Sequence, residues 1–239
     1  MAIAATYITL QQQIADELGD RQDLLAPLAD SNLVLSPIQN AIQTAIAKWE
    51  REPFYFNQVV VQTPAAGPYA FSTATGQEFY GAADYAALAS FAKIRKAWVL
   101  IGRNRYSLNE RTSQYLDDVS VNPAVTGEPI DWAYAGGLLR LYPIPNAAYP
   151  IGLEAIQRFA ALANPTDANG WTQDAYDLIR AEAKLILAEE VLHDVELAGL
   201  MQRAIYGDPA QPGRRGYLDA LKAETARRSG RGRIRPSHF

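Results

Sequence analysis

The sequence predicts an α+β protein: a helical-bundle core with a β-rich insertion and an extended C-terminal tail. Three observations predict it. Apolar residues recur at the helical period near both ends of the chain. Between about Phe54 and Phe159 the period shortens and β-favouring residues accumulate in FYFNQVVV, KAWVLI, LLRLYPI and IGLEAIQRF. The closing SGRGRIRPSHF carries glycines, a proline and like charges with no apolar period, which predicts a tail without structure in an isolated monomer. The expected organisation is therefore residues 1–53 with 161–228 as the helical core, 54–160 as the insertion and 229–239 as the tail.

Thr9 and Gln12 stand at capping-box spacing, and Leu10, Ile14 and Leu18 share a face, so a short helix is expected over about 10–18. Ser36 is placed to cap a second helix with Pro37 at its first position. Ile38, Ala41, Ile42, Ala45, Ile46 and Trp49 line one side of it, and Pro53 ends it. Within the strand-rich part, Asn109 to about Ser120 reads as a short helix with Leu108, Tyr115, Leu116 and Val119 buried. Gly136 and Gly137 read as a hairpin turn between WAY and LLRLYPI. Residues 173–192 form the central helix, with Ala175, Leu178, Ala181, Leu185, Ala188 and Leu192 on one stripe. Ile179, Ile186 and Val191 broaden that stripe beyond one core contact, which predicts that part of it serves self-association. Asp194 caps a helix to about Tyr206, GDPAQPG interrupts, and a last helix spans about Tyr217 to Arg228.

Composition narrows the function. The apolar content, 49%, is enough for a sizeable core. The longest apolar runs are far short of the roughly 20 residues that cross a bilayer, and the N-terminus has no basic leader before an apolar segment, so neither a membrane span nor a secretion signal is expected. No cysteine is present, which removes thiol catalysis, disulfides and thiolate metal sites. The net charge of −4 is uneven: from Arg214 onward eight cations face two carboxylates, near +6, which leaves the body near −10. An acidic body with a basic tail predicts docking on something negative, nucleic acid or an acidic protein surface.

Candidates for chemistry are few. Glu190 and His193 form an E-x-x-H, the spacing by which ferritin-like proteins aim two metal ligands inward, but the only other histidine is His238 and the second pair is missing. The plainer reading is an amphipathic helix end with Glu189 and His193 as a solvated pair. Asp117-Asp118 and Glu189-Glu190 are adjacent carboxylates that point to different sides of a helix, so they read as solvated faces rather than an acid and a base. Phe71 to Gly81 holds Ser, Thr and Gly but neither the lysine nor the close glycines of a phosphate loop; it reads as a turn between strands, with Phe71, Phe79 and Tyr80 packing nearby. The nucleophile motifs and phosphate loops of enzymes are missing as well, so no catalytic residue, cofactor or metal is expected. In the tail, Gly230-Arg-Gly-Arg-Ile-Arg-Pro236 is close to a minor-groove hook, but Ile234 and Arg235 interrupt it. Apolar Ile234, Pro236 and Phe239 among arginines suit a protein groove better.

Together these features resemble the head-to-tail adaptor, or connector, proteins of tailed bacteriophages. The resemblance rests on an ordered set: Ala47-Lys-Trp-Glu-Arg-Glu-Pro-Phe-Tyr-Phe56, Phe71-Ser-Thr with Gly76-Gln-Glu-Phe-Tyr-Gly81, and Leu138-Leu-Arg-Leu-Tyr-Pro-Ile-Pro145. Asp177-Leu-Ile-Arg-Ala-Glu-Ala183 and the ending Arg233-Ile-Arg-Pro-Ser-His-Phe239 complete it. It implies a structural virion protein at the neck between capsid and tail, assembled in the host cytoplasm as a homo-oligomeric ring, a dodecamer, that matches the portal protein. It further implies tail or nozzle proteins as partners on the far side, DNA passing through without sequence-specific binding, and no membrane. The portal-binding residues it implies are Arg228, Arg231, Arg233, Ile234, Arg235, Pro236 and Phe239. A DNA-binding accessory protein acting through the basic tail is the alternative reading.

Overall fold

The computed structural model describes residues 5–27, 35–61, 70–120, 125–211 and 215–228. The chain divides into two compact units, Met1–Phe56 with Phe159–Phe239, and Asn57–Arg158.

The first unit is helical. Helix α1 spans Tyr7–Glu17, so the first helix starts three residues earlier than expected. Thr6 is the N-cap, and the Thr6 backbone N–H donates to Thr9 Oγ1 at 2.8 Å. Threonine at the fourth position does here what a glutamine does in the commoner box, which is why Thr9 and Gln12 misled. Helix α2, Pro37–Trp49, is capped as expected: Ser36 Oγ accepts from the Gln39 N–H at 3.2 Å while Gln39 Oε1 accepts from the Ser36 N–H at 3.0 Å. It buries Ile38, Ala41, Ile42, Ala45 and Trp49.

The second unit follows in order as β1 (Gln58–Val61), β2 (Phe71–Ser72), β3 (Phe79–Tyr80), β4 (Phe91–Ile101), β5 (Asn104–Ser107), β6 (Asn109–Glu110), α3 (Ser113–Val119), β7 (Thr126–Gly127), β8 (Asp131–Ala135), β9 (Leu138–Tyr142), β10 (Ile144–Pro145) and β11 (Pro150–Gln157). One sheet runs β1-β11-β4-β5, with β2 also on β11; another runs β3-β9-β8-β6; β7 and β10 form a short parallel pair. Ile94, Ala97 and Val99 of β4, Ile151 and Leu153 of β11, Trp132 of β8, and Leu139 and Leu141 of β9 belong to a single core. The sheets thus close on each other through their alternating inward positions.

Several expectations need correction here. The first strand begins at Gln58, because Phe54 is fully buried in the helical unit and Phe56 stacks there on Phe159 and edge-on to Trp171. The helix expected from Asn109 is shorter. Asn109 and Glu110 pair with Asp131 and Trp132 of β8, and Thr112 Oγ1 caps the helix proper by accepting from the Tyr115 N–H at 3.1 Å. Only Leu116 and the preceding Leu108 are buried; Tyr115 and Val119 are exposed. A seven-residue helix lying on a sheet has room to bury one turn's worth of side chains. Gly136 and Gly137, at φ 60° and 80°, do form the β8–β9 hairpin turn, the left-handed pair that a two-residue connection demands.

The chain then re-enters the helical unit as α4 (Gly170–Gln173), α5 (Tyr176–Leu187), a π turn (Ala188–Leu192), α6 (Val195–Tyr206) and α7 (Tyr217–Arg228). The expected central helix of 173–192 is therefore three pieces. Asn169 Oδ1 caps α4 through the Trp171 and Thr172 N–H groups, and after the π turn His193 adopts a left-handed conformation at φ 51°. Asp194 caps α6 as anticipated, accepting from the Leu197 N–H at 3.0 Å.

The broad apolar stripe of α5 is taken up inside its own unit. Leu178, Ile179, Ala181, Ala183, Leu185 and Leu187 are all buried in the core with α1 and α2, each large one contributing roughly 1.5–3 kcal/mol by burial. Of the residues that broaden the stripe, Ile179 is buried and Ile186 packs partly buried against this core, as a helix surrounded by others requires, whereas Val191 stays exposed. Among the described residues, no helix is long and apolar enough to cross a membrane.

Candidate protein-docking site

Of the residues expected to bind the portal, Arg228 is the one that lies within the described structure; Arg231, Arg233, Ile234, Arg235, Pro236 and Phe239 lie outside the described residues. Arg228 closes α7, and it is held by its own chain. Its guanidinium sits over the Tyr55 ring at 3.9 Å, and Nε donates to Glu224 Oε1 at 2.6 Å. Arg227 donates to the same carboxylate at 2.7 Å. Those two donors hold the Glu224 carboxyl below its ordinary range.

Tyr55 is fixed from three directions. Phe54 before it is fully buried, its backbone N–H donates to Thr225 Oγ1 at 3.1 Å, and its phenol donates to Asp174 Oδ1 at 2.8 Å. Burial, then the Asp174 carboxylate, push the Tyr55 phenol up to about 12. Asp174 follows α4, so the loop after α2, the α4–α5 junction and the last turn of α7 converge on one aromatic ring. Beside it lies a shallow cleft lined by Tyr55, Asp174, Tyr176, Tyr217, Leu221 and Glu224. The arrangement can anchor a chain segment.

The other candidates resolve as structural groups. His193 Nδ1 lies 3.1 Å from the Glu189 carbonyl oxygen rather than against its carboxylate, which takes the Gln202 amide at 3.3 Å instead. The expected Glu189–His193 side-chain pair is not formed, because the π turn and the left-handed His193 break the helical spacing it needs. Asp117 is not simply solvated either: Arg140 Nη1 donates to it at 2.5 Å. The Phe71–Gly81 stretch connects two strands of different sheets. Phe71 and Tyr80 have ring centres 5.1 Å apart, whereas Phe79 is exposed. Among the described residues no three His, Cys, Asp or Glu side chains converge on a point where a metal could sit.

Sequence reasoning missed two buried charges. Arg140, on β9, is nearly enclosed and divides its donors among Glu78 at 2.5 Å, Asp117 and Ser120 Oγ at 2.9 Å, tying α3 to the β3–β9 ladder. Glu182 on α5 is buried and accepts from Lys48 Nζ at 2.5 Å and Trp49 Nε1 at 3.2 Å. A charge at an inward position of an otherwise apolar run was the available signal in both cases.

The family model described as SU10 adaptor protein matches the chain over residues 5–236. No curated protein matches it.

Proposed function

The chain belongs to the SU10 adaptor protein family of phage head-to-tail adaptors, and we propose that it is a non-catalytic structural component of the virion neck. It forms a ring between the portal protein and the tail or nozzle proteins, and DNA passes through that ring. The C-terminal residues bind the portal: Arg231, Arg233 and Arg235 steer by charge, while Ile234, Pro236 and Phe239 supply the apolar anchors.

The observation that carries this reading is the clamp at Arg228. Because its guanidinium is stacked on Tyr55 and paired with Glu224, the last turn of α7 is a fixed root, and the eleven residues that follow start from a defined place on the helical unit. A fixed root lowers the ordering cost when a segment docks, a cost of roughly 1–2 kcal/mol per residue for the backbone.

Deleting residues 229–239 tests it. The truncated chain is expected to keep its far-ultraviolet spectrum and thermal midpoint and to lose binding to purified portal. Unchanged portal affinity would move the docking surface to the helical unit. Tight binding of the full chain to duplex DNA at physiological salt, lost on the same truncation, would favour the accessory DNA-binding role instead.

A further inference from the structure

The larger sheet of the second unit gathers positive charge on one side. Residues 93–105, most of β4 with its turn and the start of β5, contain Lys93, Arg95, Lys96, Arg103 and Arg105 and no carboxylate. Ile94, Ala97 and Val99 of β4 and Leu153 and Ala155 of β11 belong to the core, so their neighbours Lys93, Lys96 and Glu154 point outward. Strict alternation after Ile94 would turn Lys96 inward. A register shift instead sets Ile94 opposite Ala155 and Lys96 opposite Glu154, and the extra residue, Arg95, stays on the outer side. Its Nη1 donates to Gln58 Oε1 at 3.0 Å and lies 3.4 Å from Glu154. The bulge thereby gives that side two consecutive cations.

Arg105 is on the same side, because its partner Leu100 stands between the inward Val99 and Ile101. Its guanidinium lies 3.8 Å from the centre of the Trp98 ring, and Trp98 in turn lies across Gly152, where a Cβ would meet the indole at 2.0 Å. The bare glycine lets the indole lie against the sheet, and the indole supports Arg105 before any partner arrives.

Little of this charge is neutralised. Glu154 is the carboxylate on the strands of this sheet, and it pairs with Arg95 and, at 3.0 Å, with Lys96. Lys93, Arg103 and Arg105 are exposed and make no ion pair among the described residues. Five cations facing one carboxylate leave this side near +4, in a chain whose net charge is −4. They are strung along roughly 20 Å of strand. Among the described residues the exposed large apolar side chain on this side is Val60, two strands away from β4. A protein partner needs a desolvated apolar centre, and such interfaces are poor in lysine, whereas a nucleic-acid backbone is met by placed cations alone.

We propose that the outer side of the β1-β11-β4-β5 sheet, through Lys93, Lys96, Arg103 and Arg105, is the surface that meets the phosphates of the duplex DNA passing the ring. The contact is independent of base sequence and screened by salt, so the duplex can slide along it. The inference rests on the reading above for its ligand, and it assigns the contact to the second unit rather than to the basic C-terminal residues.

The full chain, free and assembled with purified portal, is titrated with labelled duplex DNA of two unrelated sequences from about 50 to 200 mM salt, while the mass of the portal assembly is measured in parallel. The expected result is equal affinity for both sequences and a linear fall of log affinity with log salt. The double change Lys93→Glu with Arg103→Glu should lose at least about tenfold at the lowest salt, with a shallower salt slope and an unchanged thermal midpoint. Arg105→Lys, which keeps the charge, should weaken binding less than Arg105→Glu. A wild-type ring whose DNA binding is indifferent to the double change overturns this inference and leaves the ring intact. So does DNA binding by the free chain that is lost only on deleting residues 229–239, and so does the absence of binding at the lowest salt from both the free chain and the assembly. A double variant that binds DNA as wild type does but no longer joins the portal makes this side a protein interface and equally overturns the inference. A wild-type chain that forms no ring with portal, by mass, overturns the reading above and the inference with it.

Discussion

The Arg228 guanidinium lies 3.9 Å from the centre of the Tyr55 ring, and on the far side of that residue the Tyr55 phenol donates to Asp174 at 2.8 Å. One aromatic side chain therefore ties the end of α7 to the start of the α5 region. Burial and Asp174 raise its pKa to about 12 from the ordinary 10.0. Between those values the folded state holds a proton that the unfolded chain has released. Stability from this site is therefore complete below pH 10 and falls as pH rises through about 12. Asp174→Asn should bring the phenol partway back toward its ordinary value, burial keeping the remainder. A tyrosine-resolved NMR titration checks this, and an unmoved midpoint in the variant contradicts it.

Arg140 serves four acceptors, Glu78, Asp117, Ser120 and the Ser113 carbonyl, from within a nearly enclosed position, and a lysine cannot reproduce that fork. Arg140→Lys and Arg140→Ala are both expected to destabilise by about 2–3 kcal/mol, since Glu78 is left partly buried without its donor while Asp117 recovers water. Urea denaturation measures it. A lysine variant as stable as wild type would show that charge alone suffices.

Gly152 on β11 faces Trp98 on β4, and a Cβ there would meet the indole nitrogen at 2.0 Å. The indole is buried, so it has nowhere to yield, and among the described residues its nitrogen has no hydrogen-bond partner. Gly152→Ala should cost about 1–3 kcal/mol by overpacking. Trp98→Phe loses no hydrogen bond and shortens the ring, so in the double variant part of the loss should return; strict additivity of the two changes in a thermal-melt cycle would argue against the contact.

For the C-terminal segment, changing Arg231, Arg233 and Arg235 together to alanine should slow portal docking more at low salt than at high salt, because exposed charges are screened beyond about 10 Å at 0.1 M. Stopped-flow association across a salt series measures this. Parallel lines for variant and wild type would remove charge steering from the reading.

Two residues show where sequence and structure divide the information. Ser36 with Pro37 announces α2, and Asp194 announces α6, because a cap is a contact between residues three apart and its chemistry is written locally. The same holds for Gly136-Gly137, whose left-handed dihedrals only glycine adopts freely. The apolar–polar period likewise determined the α+β class and the order of helical and strand-rich stretches. Tertiary structure alone decided the rest. That the apolar side of α5 is buried, that the run from Asn109 opens as a strand on β8, and that Arg140 and Glu182 are buried with named partners depend on residues 20 to 167 positions apart. Nor could period tell which apolar residues stay exposed once the core is filled: only packing showed that most of α5's are buried while Val195 and Leu200 on α6 are exposed. The physical reason is common to all of these. Local contacts are encoded in spacing, whereas burial is a property of what else arrives at the same place.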